Sequence, residues 1–313
     1  MTDAFLPPYP ALALADSRRA DQRDDLRSPA KVPRPGPKTV VLIHGLWMTP
    51  RSWELFRRYY EERRYRVLAP PWPRLRGEVE DIRQGPTELA GLGLTEIVAH
   101  YEKAIRLLDE APILIGHSLG GLVVQILLDR GLGAAGIAID SAPPKGVWQL
   151  PPLSQIRALL PVVLNPLSYW QTVSLSYRQF RYAFANTMSE HDARATFMRY
   201  TIPAPGRAVF ESAFANLSPW SATTVDYAND RRAPLLLIAG TEDHITASSV
   251  VKANFRKYWR SNAITRFKEF PGYSHLIIVQ SGWQQIADFA LSWAQQNLLQ
   301  VGFPRTALYR RTC

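Results

Sequence analysis

The sequence predicts an α/β fold in which a mostly parallel sheet is flanked by helices and carries an inserted helical cap. In residues 38–145 and 228–300, short apolar runs alternate with amphipathic runs, as the strands and helices of such a sheet do. Between them, residues 146–227 break this rhythm and are rich in aromatic side chains. With 313 residues, 46% of them hydrophobic, the chain is long enough for one large α/β domain with an insertion.

The first half of the predicted core begins with a buried strand at residues 39–43. A helix capped by its first residue should follow at residues 52–64, and a second strand at residues 66–69 ends at two prolines. Residues 72–93 show no periodicity, so we expect a long irregular loop there. A threonine-capped helix with its apolar residues on one face is predicted at residues 95–109.

The second half of the core continues the same alternation. A buried strand at residues 112–115 leads into a glycine-flanked serine and then into a buried helix at residues 122–128. The remaining predicted elements are strands at residues 136–140, 235–239 and 264–270, and a closing helix at residues 283–299.

The segment at residues 146–227 is too long to be a structureless loop in a compact domain, so we expect it to form a helical cap over the sheet. Most aromatic side chains of such a cap should pack against one another, and a few should line a pocket at the interface with the core. We expect Trp148 and Trp170 of the cap to line this pocket together with Trp47 of the core.

The charge of the chain does not by itself indicate a nucleic-acid partner. The net charge is +10 and the pI is near 9.8, but the arginines of the predicted helix at residues 52–64 are mixed with glutamates, as on a solvated face. No nucleic-acid motif accompanies the charge, so we expect no such partner. The only cysteine is Cys313, which excludes a disulfide within the chain and argues against a thiolate metal cluster.

The two ends of the chain lack sustained periodicity. Residues 1–37 are predicted to form a flexible or surface-wrapping arm, and residues 301–313 a basic tail. The apolar stretch at residues 11–15 is too short for the core of a secretory signal. No apolar run approaches the roughly 18 residues that a membrane span needs. We therefore expect a cytoplasmic protein without a transmembrane segment, and the sequence leaves the oligomeric state open.

The most informative motif is GHSLGG at residues 116–121, which places Ser118 between a predicted strand and a predicted helix. A serine on a sharp strand-to-helix turn projects its hydroxyl to where a base can reach it. The turn strains the serine backbone, and glycines two residues to either side leave room because they carry no Cβ. The pattern predicts that Ser118 is a nucleophile.

A serine nucleophile needs a base and a carboxylate that orients the base. Asp243 lies in the segment that directly follows the predicted strand at residues 235–239, and His275 in the segment that directly follows the predicted strand at residues 264–270. Because the carboxyl ends of parallel strands meet at one edge of a sheet, we expect both side chains to converge on Ser118.

Other residues offer alternatives for the acid and the base. Asp140 also ends a predicted strand and stays open as an alternative acid. Glu242 is adjacent to Asp243, but a shift of one residue should aim its side chain elsewhere. His244 lies beside the acid rather than one strand later, which argues against it as the base. The six histidines are not spaced like a metal site, so we expect no metal.

Acyl transfer also needs backbone donors for the oxyanion of its transition state. The N–H of Leu119, directly after the nucleophile, is the first expected donor. The second should come from the loop after the first strand, HGLW at residues 44–47, where we favour the N–H of Leu46 beside Gly45.

Four motifs in this order resemble the serine α/β-hydrolase superfamily: VLIHG at residues 41–45, GHSLGG at 116–121, GTED at 240–243 and GYSH at 272–275. The chain is similar over about residues 38–300 to the cap-bearing esterase, lipase and arylesterase/haloperoxidase-like branch. This resemblance implies an α/β-hydrolase fold, ester hydrolysis and no cofactor. Epoxide hydrolases and haloalkane dehalogenases have an aspartate nucleophile, whereas this chain has Ser118 at that position.

Together, the residues and the resemblance predict a serine hydrolase that cleaves a carboxylic ester of a small or medium apolar substrate through an acyl-enzyme. An amidase, lactonase, thioesterase, perhydrolase or carbon–carbon hydrolase would use the same three side chains, and the sequence does not separate these activities. A non-catalytic ligand-binding protein on the same scaffold is the alternative outside the enzymes.

Overall fold

The computed structural model describes residues 37–148 and 153–300. The predicted basic tail, and all but the last residue of the predicted arm, lie outside the described residues. The strands of the described part are β1 (Thr39–Ile43), β2 (Arg66–Leu68), β3 (Ile113–His117), β4 (Ala135–Ile139), β5 (Thr172–Val173), β6 (Ala204–Pro205), β7 (Leu235–Gly240) and β8 (Thr265–Phe270).

Six of these strands form one sheet in the order β2-β1-β3-β4-β7-β8, and every neighbouring pair in it is parallel. In the register of this sheet, Gly116 of β3 lies beside Ile43 of β1 and Ala138 of β4. The residues that follow these strands therefore leave the sheet at the same edge. β5 and β6 form a separate antiparallel pair.

Helices cover both faces of the sheet, which confirms the predicted fold class. The α-helices of the described part are α1 (Glu54–Glu62), α2 (Val79–Gln84), α3 (Leu94–Arg106), α4 (Leu119–Asp129), α5 (Leu153–Val163), α6 (Tyr177–Ala183), α7 (Glu190–Tyr200), α8 (Gly206–Ala213), α9 (Ser248–Lys257) and α10 (Trp283–Gln300).

The core consists of two apolar layers, one on each face of the sheet. Successive side chains of a strand point to opposite faces, and Val41 accordingly belongs to one buried cluster while Val40 belongs to the other. The first cluster includes side chains of α3, α4 and α9, and the second includes side chains of α1 and α10. Burial on both faces explains why the central strands read as continuous apolar runs.

The predicted starts of two helices were wrong by one or two residues, because side chains outside each helix determine where it begins. Ser52 lies in a 3-10 helix (Pro50–Trp53) whose N-cap is Thr49, and α1 begins only after it. α3 begins at Leu94 rather than one residue later. The N–H of Leu94 donates to the carboxylate of Glu211, 2.6 Å away on α8.

The prediction of an irregular loop at residues 72–93 was also wrong, because α2 and a 3-10 helix at residues 86–89 lie within it. α2 is held by a capping box in which the N–H of Glu78 donates to the carboxylate of Asp81, 3.1 Å away. A helix of six residues has too few turns to show periodicity. α9 was likewise not predicted.

The segment predicted as a cap is helical in the described structure. Residues 153–227, here called the insert, contain α5, α6, α7, α8 and the small antiparallel pair. That the insert acts as a cap over the substrate site stays a prediction. In residues 37–148 and 153–300, no helix is both long and apolar enough to cross a membrane.

Candidate active site

Ser118 lies on a sharp turn between β3 and α4, with φ 56° and ψ −121°. The turn packs so closely that a Cβ at Gly116 would be 2.1 Å from the carbonyl oxygen of Gly120. A Cβ at Gly120 would be 2.1 Å from the carbonyl oxygen of Ile43 on the neighbouring strand. The glycines of the motif are therefore required for packing, and the side chain of Ser118 is set at the edge of the sheet.

Backbone strain is concentrated at this edge of the sheet. Trp47 after β1, Ser118 after β3 and Asp140 after β4 all have positive φ values, of 61°, 56° and 43°. Such conformations cost about 1–3 kcal/mol each and persist where the surrounding structure holds them. In the described part of the chain, only Arg64 and Arg74 are further non-glycine residues with positive φ.

The loops after β7 and β8 bring Asp243 and His275 together. Nδ1 of His275 and Oδ2 of Asp243 are 2.7 Å apart, and both side chains are fully buried. The other carboxylate oxygen of Asp243 accepts hydrogen bonds from the backbone N–H groups of Ile245 and Thr246, at 2.6 and 2.8 Å. Three donors therefore surround this one buried carboxylate and hold it in place.

The other ring nitrogen of His275, Nε2, is buried and has no hydrogen-bond partner among the described residues. With Nδ1–H donating to Asp243, Nε2 carries the lone pair that a general base needs. The ring of His117, the residue before Ser118, lies 4.6 Å from the His275 ring. The edge of the Phe184 ring contacts it from the insert, with a centroid distance of 5.0 Å.

His117 is bonded to the backbone of His275. Its Nε2–H donates to the backbone carbonyl of His275, at a distance of 2.7 Å. Burial, and secondarily the charge that His275 can carry, hold the pKa of His117 well below its ordinary value. A neutral His117 therefore packs against the ring of His275, beside the turn of Ser118.

Asp140, the alternative acid, lies in the same buried edge but has a different environment from Asp243. Its Oδ1 accepts a hydrogen bond of 2.8 Å from the N–H of Gly240, and its Oδ2 has no partner among the described residues. Burial, followed by the negative charge of Asp243, raises the pKa of Asp140 well above its ordinary value. These surroundings therefore favour the neutral form of the Asp140 carboxyl group.

One ring nitrogen each of His117 and His275 and one carboxylate oxygen of Asp140 lie within 4.8 Å of one another. One polar atom of each side chain has a hydrogen-bond partner: Asp243 for His275, a backbone carbonyl for His117 and the N–H of Gly240 for Asp140. The other atoms, Nε2 of His275, Nδ1 of His117 and Oδ2 of Asp140, are buried without a partner among the described residues. That the site holds no metal stays a prediction.

The remaining alternatives face away from this cluster. Glu242 is exposed, and its backbone carbonyl accepts a hydrogen bond of 2.8 Å from Asn186 of the insert. Nδ1 of His244 lies 2.9 Å from the backbone carbonyl of Tyr182, also in the insert. Both residues therefore connect the loop of Asp243 to the insert.

The loop after β1 lies directly against the nucleophile turn. A Cβ at Gly45 would be 2.7 Å from the Cβ of Ser118 and 3.4 Å from its Oγ. Within residues 37–148 and 153–300, the N–H groups of Leu46 and Leu119 have no acceptor. That these two N–H groups form an oxyanion hole stays a prediction.

His44, at the start of this loop, is a buried neutral side chain. Its Nδ1–H donates to the carbonyl of Gly45, 3.0 Å away, and its ring stacks on Trp72 with a centroid distance of 4.6 Å. Burial lowers the pKa of His44 to about 4. The loop that carries Gly45 and Leu46, two of the residues predicted for the oxyanion hole, is therefore bonded to an uncharged imidazole.

The three tryptophans predicted to line a pocket have different surroundings. Trp47 is buried, donates from Nε1 to the carbonyl of Val173 at 3.0 Å, and contacts Phe184 edge-on at 5.9 Å. Trp148 and Trp170 are 69% and 66% exposed. This exposure does not fit the wall of an enclosed pocket, so we keep only Trp47 as a proposed pocket residue.

Two residues near the site were not predicted. Phe184 packs against His275, but its position among many aromatic residues of the insert carries no local signal. Gln280 accepts hydrogen bonds from the N–H and the hydroxyl of Ser274 and donates to the carbonyl of Gly272, at 2.8–3.1 Å. It thereby fixes the loop that carries His275, a contact that only the folded chain reveals.

Comparisons with known proteins agree with this architecture. The model of a family described as the alpha/beta hydrolase family matches residues 40–289. This match confirms the resemblance that the four sequence motifs indicated. Comparison with curated protein sequences finds no match.

Solved structures share the fold at low sequence identity. An extracellular alpha/beta-hydrolase from a Paenibacillus species is 20% identical, with a TM-score of 0.62 over 82% of this chain and 99% of that one. The monoacylglycerol lipase of Paleococcus ferrophilus is 21% identical, with a TM-score of 0.57 over 84% and 96%. A pyrethroid hydrolase from Sphingobium faniae is 16% identical, with a TM-score of 0.57 over 82% and 97%.

Proposed function

The chain belongs to the alpha/beta hydrolase family, and on that premise we propose that it is a serine hydrolase that cleaves a carboxylic ester of a small or medium apolar molecule. The observation that carries the proposal is the buried hydrogen bond of 2.7 Å between His275 and Asp243, next to the strained turn of Ser118. A buried imidazole–carboxylate pair beside a serine elbow is the arrangement that activates a hydroxyl nucleophile.

In the proposed reaction, Oγ of Ser118 attacks the acyl carbon while Nε2 of His275 takes the hydroxyl proton. His275 then gives this proton to the leaving alcohol, and the acyl group stays bound to Ser118. A water molecule, deprotonated by His275, attacks the acyl-enzyme, and the proton returns to Ser118 as the carboxylic acid leaves. The N–H groups of Leu46 and Leu119 stabilise the oxyanion in both steps.

We assign the acid of the triad to Asp243 because its carboxylate is bonded to the imidazole and to two backbone donors. A charged carboxylate at this place orients the ring and stabilises the imidazolium that forms during the reaction. The raised pKa of Asp140 favours the neutral form of its carboxyl group, and its Oδ1 is bonded to Gly240, so Asp140 suits this role less well.

The proposed substrate is apolar because apolar side chains surround the reacting groups. Phe184 contacts the ring of His275, and Trp47 contacts Phe184. An apolar acyl or alcohol group gains free energy from burial in such surroundings, whereas a charged group would lose its hydration. The proposed reaction uses only side chains, backbone donors and water, and so needs no cofactor.

The proposal is tested by measuring the hydrolysis of p-nitrophenyl esters of graded acyl length with the full chain. We expect turnover of at least one ester of this series. Replacing Ser118 by alanine should lower kcat by about 10⁴-fold or more, because the covalent step is lost. Far-UV circular dichroism should be unchanged, since an alanine side chain fits wherever the serine did.

Activity that persists in the Ser118→Ala variant would contradict the proposal. The chain could instead hydrolyse no ester of the series but cleave a matched anilide or thioester. That result would mean that the same side chains form the site of another acyl hydrolase. A folded chain that binds these esters without cleaving any of them would instead favour a ligand-binding protein.

A further inference from the structure

The exposed apolar side chains of this protein are distributed unevenly. Thirteen large apolar side chains of the described part of the chain are exposed, and ten of these lie in the insert. In the core, at residues 38–145 and 228–300, the only large apolar side chains that are exposed are those of Leu107 and Trp259. Scattered exposed apolar residues need no explanation, but a concentration in one segment marks a contact surface.

α5 carries a stripe of these side chains on its outer side. Leu153, Ile156 and Leu160 are exposed, and Leu164, one turn after Leu160, continues the stripe. Leu153 and Leu164 are 84% and 69% exposed. Spacings of three and four residues place all four on one helix face. The opposite side of α5 is also apolar, with Ala158 buried in the core. A helix that is apolar on both sides has a second partner besides the core.

Further exposed apolar side chains lie on elements that contact α5 or that follow α8. α5 contacts both α8 and the 3-10 helix at Pro166–Trp170, where Leu167 and Trp170 are exposed. After α8, Leu217 and Trp220 are exposed as well. We call the α5 stripe and these four side chains the outer face. Its tryptophans are typical of a lipid–water interface, where an indole ring has one apolar and one wet environment.

Basic side chains outnumber acidic ones around the outer face. In α5, α8 and the 3-10 helices at Pro166–Trp170 and Ala215–Leu217, Glu211 is the only acidic residue, and it is bonded to Arg207 at 2.9 Å. Arg157 lies on α5 itself. Nζ of Lys145 donates to the carbonyls of Ser218 and Pro219, between Leu217 and Trp220. Such a surface complements anionic lipid headgroups, whereas a second copy with the same net charge of +10 would be repelled.

We propose that the outer face binds a lipid–water interface that contains anionic lipid. α5 lies along the surface of the bilayer, its stripe enters the boundary between headgroups and acyl chains, and Trp170 and Trp220 anchor the two neighbouring elements. The binding involves no residue of the candidate active site, so it stands or fails independently of the proposed hydrolysis.

The test is a vesicle-binding experiment with the full chain and vesicles of phosphatidylcholine and phosphatidylglycerol. The outer-face variant is Leu164→Glu with Trp220→Glu. The matched control is Leu107→Glu with Trp259→Glu, which changes equally exposed side chains outside the insert. We expect the vesicle affinity of the outer-face variant to fall by about tenfold or more, because two buried apolar contacts are lost. The control should bind within about twofold of the unmodified chain, and both variants should keep the unmodified circular dichroism spectrum.

Three results would overturn the proposal: no vesicle binding by the unmodified chain, equal losses in the two variants, or full binding by the outer-face variant. Light scattering tests for the other possible occupant of the outer face, which is a second copy of this chain. Suppose that the unmodified chain binds no vesicles but forms a dimer, and that this dimer dissociates in the outer-face variant. That result would assign the outer face to a second copy instead.

Discussion

The core and the insert differ in what they bury and what they leave exposed. At the carboxyl ends of β3, β4 and β7, the core buries ionisable side chains in a fixed hydrogen-bonded cluster that includes His117, Asp140 and Asp243. The insert packs Phe184 against this cluster but exposes an apolar outer face to its surroundings. From this difference we expect that the core performs the proposed reaction and that the insert determines which substrates reach it.

If the core sets the reaction, its two buried acids should have very different effects. Replacing Asp243 by asparagine removes the charge that orients His275, and kcat for a p-nitrophenyl ester should fall by about 10³–10⁴-fold. Replacing Asp140 by asparagine should preserve most of the turnover, because the hydrogen bond of His275 goes to Asp243 and that of Asp140 goes to the N–H of Gly240. Steady-state kinetics of both variants checks this, and the reverse order of effects would make Asp140 the acid of the triad.

The buried polar groups should also make the core sensitive to acid. Folding keeps His44 neutral down to about pH 4, whereas the unfolded chain protonates it below about pH 6.5. The unfolded state therefore binds more protons in this window, and the free energy of unfolding decreases as the pH falls. His44 should contribute about 3 kcal/mol of this loss between pH 7 and pH 4.

Urea unfolding of the unmodified chain and of the His44→Asn variant at pH 7 and pH 4.5 measures this contribution. The variant should lose less stability on acidification than the unmodified chain, although His117 still contributes in the same direction. Equal pH dependence in the two proteins would mean that His44 is not held neutral in the fold.

The smallest effect is expected where the insert meets the core. Phe184→Leu keeps an apolar side chain beside His275 but changes its shape. We expect the ratio of kcat/KM between short and long esters to change by about tenfold, while the reaction itself continues. Phe197→Leu is the matched control, because Phe197 packs within the insert against Phe180. Equal changes in both variants would contradict a specific role of Phe184.

The core was largely predictable from the sequence because its signals are local. Buried parallel strands read as apolar runs, and the residues after them, such as Ser118 and His275, must meet at one edge of the sheet. The same rule predicted that Asp243 would lie near His275, and the two side chains are hydrogen-bonded. Their catalytic roles stay predictions.

The insert and the short helices were harder to predict because tertiary contacts determine them. α2 is too short for periodicity, and the first N–H of α3 is capped by Glu211 from a distant helix. Trp148, Trp170 and Phe184 are all aromatic residues of the same segment, yet only Phe184 faces the cluster. Composition shows that such a segment is apolar, but only packing decides which side chain faces inward.

The most direct test of the account is covalent labelling of the full chain with a fluorophosphonate, followed by mass spectrometry of its tryptic peptides. Such reagents react with a serine that a neighbouring base activates. The account predicts a single label on Ser118 and no label in the Ser118→Ala variant. A folded chain that stays unlabelled, or a label that persists in the variant, would contradict it.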